Sequence, residues 1–242
     1  FGTILDYKSA GNYEFNYINQ KSGNSLMFKK RLTKSYEIPG GVVQLVRVPS
    51  YISPYFINGL TCAPWDGTKG GVLAVIATNV LTSPFEFTVG GKGFRGGEGY
   101  NASLPSSNCF ENNYTYQYSS QLAGYKGESI CDISQNIIKG KGSSASGGGG
   151  GLSHNSGGGG GANFGKGGFG GYQTDTCGNA PFDNRGIGGK NLFYTSAADK
   201  IFMGGGGGSG NADNVSPNLP APFGGRGGGI VIVIADTLYM NV

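Results

Sequence analysis

The sequence predicts an all-β protein. It should have a small antiparallel β meander or barrel over 1–60, followed by a glycine-rich β domain over 61–242 built of stacked-coil or sandwich strands with packed polyglycine-helix segments. Three observations predict it. Short runs that alternate aromatic or aliphatic with polar residues are punctuated by Gly, Asn and Pro, which is the half-buried strand pattern. One long apolar run occurs twice, as "GGVLAVIATNVL" (70–81) and "GGIVIVIADTLY" (228–239), at an offset of 158 residues. Glycine makes up 49 of 242 residues, about three times its usual ~7% share, yet the chain also holds 14 Tyr and 14 Phe.

The N-terminal part reads strand by strand. "NYEFNYI" alternates, "KSGN" turns, "SLMFKKRL" is a second strand, "YEIPGG" turns again and "VVQLVRVPSY" is a third. The basic cluster Lys29, Lys30, Arg31 and Lys34 reads as a solvated strand edge, where lysines block sheet-to-sheet aggregation. The net charge of +4 and the lack of a nucleic-acid motif argue against a nucleic-acid partner. No stretch reaches the ~18 apolar residues of a membrane span. "GLTCAPWDGTKGG" is a bridge in which Pro64, Asp66 and Gly67 turn the chain. Trp65 is either a packing plug or a sugar-stacking ligand contact.

The repeated apolar runs are expected to be buried on both faces. They bracket the glycine-rich region, which argues against a free linker there. Inside the bracket, 100–140 is rich in Tyr, Asn and Ser, the composition of a recognition loop. Tyr100, Tyr114, Tyr116 and Tyr118 are the candidate ligand contacts. The same residues could simply cover the glycine region.

Glycine loses more backbone freedom on ordering than any other residue, at about 1–2 kcal/mol per residue. Runs of it stay ordered only if their backbone groups find partners. The extended threefold helix points N–H and C=O outwards, so neighbouring glycine helices can bond to one another. The runs 147–151, 157–161, 165–171, 204–208 and 224–229 are candidates, each five-residue run spanning ~15 Å at ~3.1 Å per residue. Flexible loops are the alternative. Interleaved Phe164, Phe169, Ile187, Phe193 and Phe202 favour order, because flexible linkers lack such residues.

Cys62, Cys109, Cys131 and Cys177 show no CxxC spacing and the single His154 completes no zinc pattern. No metal or cofactor is expected. An even, dispersed set suggests an oxidising compartment and disulfides. Three connectivities stay open, and Cys109–Cys131 would close a modest polar loop. "GKGFRGGEG" and "GRGGG" are not phosphate loops, lacking GxxxxGK[ST] between strand and helix. The acidic residues are few and scattered, which disfavours paired-carboxylate catalysis.

The stretch "GNYEFNYINQKSGNSLMFKKRLTKSYEIPGGVVQLVRVPSY", then "LTCAPWDGTKGGVLAVIATN" and "VGGKGFRGG", resembles glycine-rich modules of large secreted bacterial surface proteins. They are found mainly in Bacteroidota and are often exported by the type IX pathway. The downstream "GGGGGLSHNSGGGGGANFGKGGFGG", "IFMGGGGGSG" and "GGRGGGIVIVIADTL" are similar to that pattern too. In glycine runs only, the chain is also similar to polyglycine-helix adhesins of phage tail-fibre tips and to glycine-rich domains of some receptor kinases. The surface-protein resemblance implies an extracellular, cell-surface, non-catalytic module for adhesion or structure. Its partners would be a surface glycan or neighbouring subunits, and it would form part of a larger polypeptide. A subunit of a polymeric appendage or secretion complex is the first alternative, and a polysaccharide-active β-helix enzyme the second.

Overall fold

The structure is a computed structural model. It describes all residues except 1, 57, 85, 100–111, 174–182, 194–198, 213–221 and 241–242. Its regular strands are β1 (Ile18–Ser22), β2 (Ser25–Phe28), β3 (Ser50–Ile52), β4 (Val72–Ser83) and β5 (Ile230–Met240). They form an antiparallel β1–β2 hairpin and a parallel β3–β4–β5 sheet.

This corrects the expected fold class. Among the described residues of the first sixty, the "KSGN" hairpin is the only pair of antiparallel strands. Residues 42–49 form no strand, and β3 pairs in parallel with β4 instead of extending a meander. A strand holds only where it has a neighbour to pair with and a surface to cover. Ile38, Val42 and Leu45 lie exposed with no such surface. Among the described residues between β4 and β5 there is no strand either, so there are neither stacked coils nor a sandwich. Glycine supplies no side chain for a sheet to pack on.

The repeat does form paired strands. β4 and β5 lie side by side in parallel from Val72↔Ile230 to Ala77↔Ala235, the same 158-residue offset that relates the two sequences. A bulge follows. Asn79 takes a left-handed φ of 68°, and its N–H donates to Asp236 Oδ2 at 2.9 Å. Pairing then resumes at Val80↔Thr237. β4, between two neighbours, buries Val75, Ala77 and Leu81 against Phe56, Phe87 and Val233. A second apolar cluster joins Trp65, Phe94 and Met203 where the sheet meets the glycine region.

That region is held by hydrogen bonds between runs of chain. Gly148 N–H donates to Gly206 O at 2.9 Å, Gly149 to Ile187 O at 2.8 Å, Gly150 to Gly140 O at 2.9 Å and Gly151 to Ser209 O at 2.9 Å. Successive residues point to three different neighbours, and the fourth returns to the first neighbour three residues further on. This is the signature of three residues per turn. The 146–151 run also accepts from Gly124, Gly127, Gly159 and Ala162, so it is bonded on nearly every side. In 204–209 every N–H donates, to 228, 162, 128, 225, 159 and 125 in turn. Runs at 93–97, 124–128, 138–142 and 186–190 join those centred on the longer glycine stretches. They carry only scattered glycines, and composition did not mark them.

Close approach explains the glycines. A Cβ added at Gly127 would lie 1.9 Å from Gly206 O, one at Gly206 1.9 Å from Arg95 O, and one at Gly148 2.0 Å from Gly159 O. At the outer run, by contrast, Gly168 and Gly171 face open space. Gly127→Ala or Gly206→Ala should therefore lower stability by at least the ~1–3 kcal/mol of an overpacked core. Gly168→Ala should be neutral or stabilise by about 0.4–1 kcal/mol, because it restricts the unfolded chain. Urea unfolding of the three variants checks this. Equal effects would mean that the runs are not close-packed.

Candidate interaction surface

The Tyr-rich segment 112–120 is tied to the glycine runs by its backbone. Tyr116 N–H donates to Lys139 O at 2.9 Å, and Lys139 N–H donates back to Tyr116 O at 3.0 Å. Gly142 N–H donates to Tyr114 O at 3.0 Å, and Tyr118 N–H to Gln135 O at 2.7 Å. Gly140, at φ +103°, has no room for a Cβ beside Tyr114. The rings above stay accessible: Tyr114 is 42% and Tyr118 56% exposed.

Beneath them lie three buried lysines that sequence reasoning did not single out. Lys139, 1% exposed, donates from Nζ to Ser120 O at 2.6 Å. Its ammonium sits 4.5 Å from the Tyr125 ring centroid and 5.8 Å from that of Tyr118. Lys141 Nζ donates to Asp183 O at 2.8 Å and to Asn112 Oδ1, and lies 5.2 Å from the Tyr114 ring. Lys126 Nζ donates to Tyr114 O at 2.6 Å and to Gly142 O. Cation–π contact and carbonyl acceptors thus anchor the tyrosines from below. The visible signal was lysine set singly among glycines, in "GYKGE" and "IKGKG". Such a lysine has no neighbouring side chains to screen it once the glycines pack.

Burial pushes the Lys126 ammonium down to about 7 and also lowers Lys139 and Lys141. A neutral amine keeps two N–H donors, enough for Tyr114 O and Gly142 O.

The other expected site residues fall elsewhere. Tyr100 lies outside the described residues, and Tyr116 is half-buried. Trp65 is 6% exposed, edge-on to Phe94 at 6.1 Å, with Nε1–H donating to Glu128 Oε1 at 3.1 Å. It is the packing plug, and its ring is closed to a ligand. Glu128 also holds Arg95 through Nε at 3.0 Å and the Arg95 N–H at 2.8 Å, which gives "GKGFRGG" a structural task. Cys62 and Cys131 are free thiols, so no disulfide forms between them. Cys62 is half-buried near Gly71 and Lys92, while Cys131 is exposed beyond Ser129. Cys109 and Cys177 lie outside the described residues.

Asp66 and Asp183 are engaged locally. Asp66 caps its own turn through the Thr68 and Lys69 N–H groups, which hold it down at about 2. Asp183 grips Arg185 at 2.7 Å, and Arg185 stacks 3.8 Å from the Tyr172 centroid. Among the described residues no group of three His, Cys, Asp or Glu could hold a metal ion, and no helix is long and apolar enough to cross a membrane. No family model, curated protein or solved structure matches the chain.

The lysine burial has a pH consequence. Between about pH 7 and the ordinary lysine value of 10.5, the unfolded chain binds a proton at Lys126 that the native chain does not, so stability rises with pH across that window. Thermal melts should rise from pH 7 to pH 10, and Lys126→Met should flatten the rise. A flat wild-type profile would show that Lys126 stays charged when folded.

Proposed function

We propose that this chain is a non-catalytic extracellular surface module, part of a larger polypeptide, whose glycine runs rigidly present a tyrosine platform for adhesion to a surface glycan. The observation that carries the reading is the combination at 112–120. The backbone is tied to the glycine runs and to buried lysines, while Tyr114 and Tyr118 keep their rings open. Such rings offer an apolar face with a polar tip at low entropic cost, which suits stacking against a sugar. A platform that is already ordered loses little freedom on binding. The resemblance to glycine-rich secreted surface modules of Bacteroidota supports the same reading and the cell-surface location.

The test is binding of the whole chain to immobilised polysaccharides and to a glycan array. Tyr114→Ala with Tyr118→Ala should lower retention at least tenfold, and the exposed Tyr239→Ala should leave it unchanged. Equal binding by all three, at equal melting temperature, would remove the platform from the function.

A further inference from the structure

Three glycine runs border a groove of about 750 Å³, with 157–161 and 204–208 as floor and 222–228 as wall. The threefold bonding decides which backbone groups face it. In 157–162, Gly157 and Gly160 donate to 165–171, and Gly159 and Ala162 donate to 146–149. Gly158 and Gly161 form the remaining row, turned a further third of a revolution. Their N–H groups make no hydrogen bond among the described residues.

The same bookkeeping applies to the other two runs. In 204–209, the carbonyls of Gly204 and Gly207 accept from Phe94 and Gly97, and those of Gly206 and Ser209 accept from Gly148 and Gly151. The carbonyls of buried Gly205 and Gly208 receive no N–H among the described residues. In 224–228, Gly224 and Gly227 donate to 93–97, while Gly225 and Gly228 accept from Gly207 and Gly204 but donate to no described residue. All six unsatisfied residues line the groove. It therefore offers four donors and two acceptors, each row repeating every three residues. Gly225 and Gly228 would have open space at a Cβ.

We propose that this groove takes one further extended glycine-rich segment, supplied by another module of a glycine-rich surface protein. The groove continues a hydrogen-bonded packing already built from such runs. A threefold glycine run turns N–H and C=O outwards in alternation, as the rows of the groove require. Proline could not donate to Gly205 and Gly208. Bulkier residues could not approach as closely as these runs do, where an added Cβ lies about 2 Å from a neighbouring carbonyl, as at Gly161 and Gly205 (1.9 Å). The inference is independent of the tyrosine platform and would join modules laterally.

The experiment is a titration of the whole chain with a lysine-flanked octaglycine peptide, followed by amide NMR. Saturable shifts should centre on Gly158, Gly161, Gly225 and Gly228 and be absent with lysine-flanked octaalanine. Gly207→Ala supplies the variant. Its methyl would come no nearer than 3.4 Å to Gly159 O and Gly225 N, an ordinary contact that projects between the runs bordering the groove. It should keep the wild-type melting temperature and weaken the peptide at least tenfold. Equal binding of octaalanine, no shift at millimolar peptide, or shifts of these amides with oligosaccharide instead would overturn the proposal. So would shifts that depend on the concentration of the protein alone, since they would assign the groove to a second copy.

Discussion

The structure depends on one constraint: a glycine run brings no side chain to bury, so its order must come from backbone groups paired across to other runs. That constraint dictates the rest. The runs must lie close enough for N–H to meet C=O in several directions at once. This excludes a Cβ from every row that faces a neighbour, as at Gly127, Gly148 and Gly206. Side chains are carried on the remaining rows, some exposed, such as Phe169 on the 165–171 run, and some buried, such as Lys126 on the 124–128 run. Ser146, Ser153, Ser156 and Ser209 are fully buried at run ends. There a small hydroxyl can replace a missing partner, as when Ser209 Oγ accepts from Tyr125 N–H at 2.7 Å.

Such packing is not self-sufficient. Ordering a residue costs about 1–2 kcal/mol, and a hydrogen bond returns only about 0.5–1.5 kcal/mol net. Apolar burial must supply the margin, and it sits at the edges of the glycine region. The Trp65–Phe94–Met203 cluster and the β4–β5 pair provide it. Gly71 and Gly229 hand the chain from glycine runs to strands, and Ile230 N–H donates to Gly71 O at 2.8 Å. The sheet and the glycine runs therefore form one continuous hydrogen-bonded body.

Some of this was legible in the sequence. The repeat announced β4 and β5, and its offset equals their register, because matching apolar patterns seat matching faces together. The long glycine stretches announced extended runs. Shorter runs such as 124–128 and 138–142 were hidden, since one or two glycines on the inward rows suffice and the other rows carry ordinary residues. For the same reason Lys126, Lys139 and Lys141 looked like surface charge. Alternation in "VVQLVRV" suggested a strand, but alternation specifies a face and not a neighbour, and none pairs with it. Tyr114 and Tyr118 could be picked from composition. What holds them could not, because the contacts run from Tyr114 O to Lys126 and from Ser120 O to Lys139, across twelve and nineteen residues.

The parallel, in-register pairing of β4 and β5 also sets how the chain bears tension. The polypeptide enters β4 at Val72 and leaves β5 at Met240, at opposite ends of the pair. A pull along the chain drags the two strands past each other lengthwise. Every rung of the ladder then shares the load at once, instead of parting one by one as in an unzipped hairpin. All the glycine runs between Ser83 and Ile230 lie in the loop that this clasp closes. A force applied between Val72 and Met240 passes across the sheet and bypasses the loop that carries the tyrosine platform.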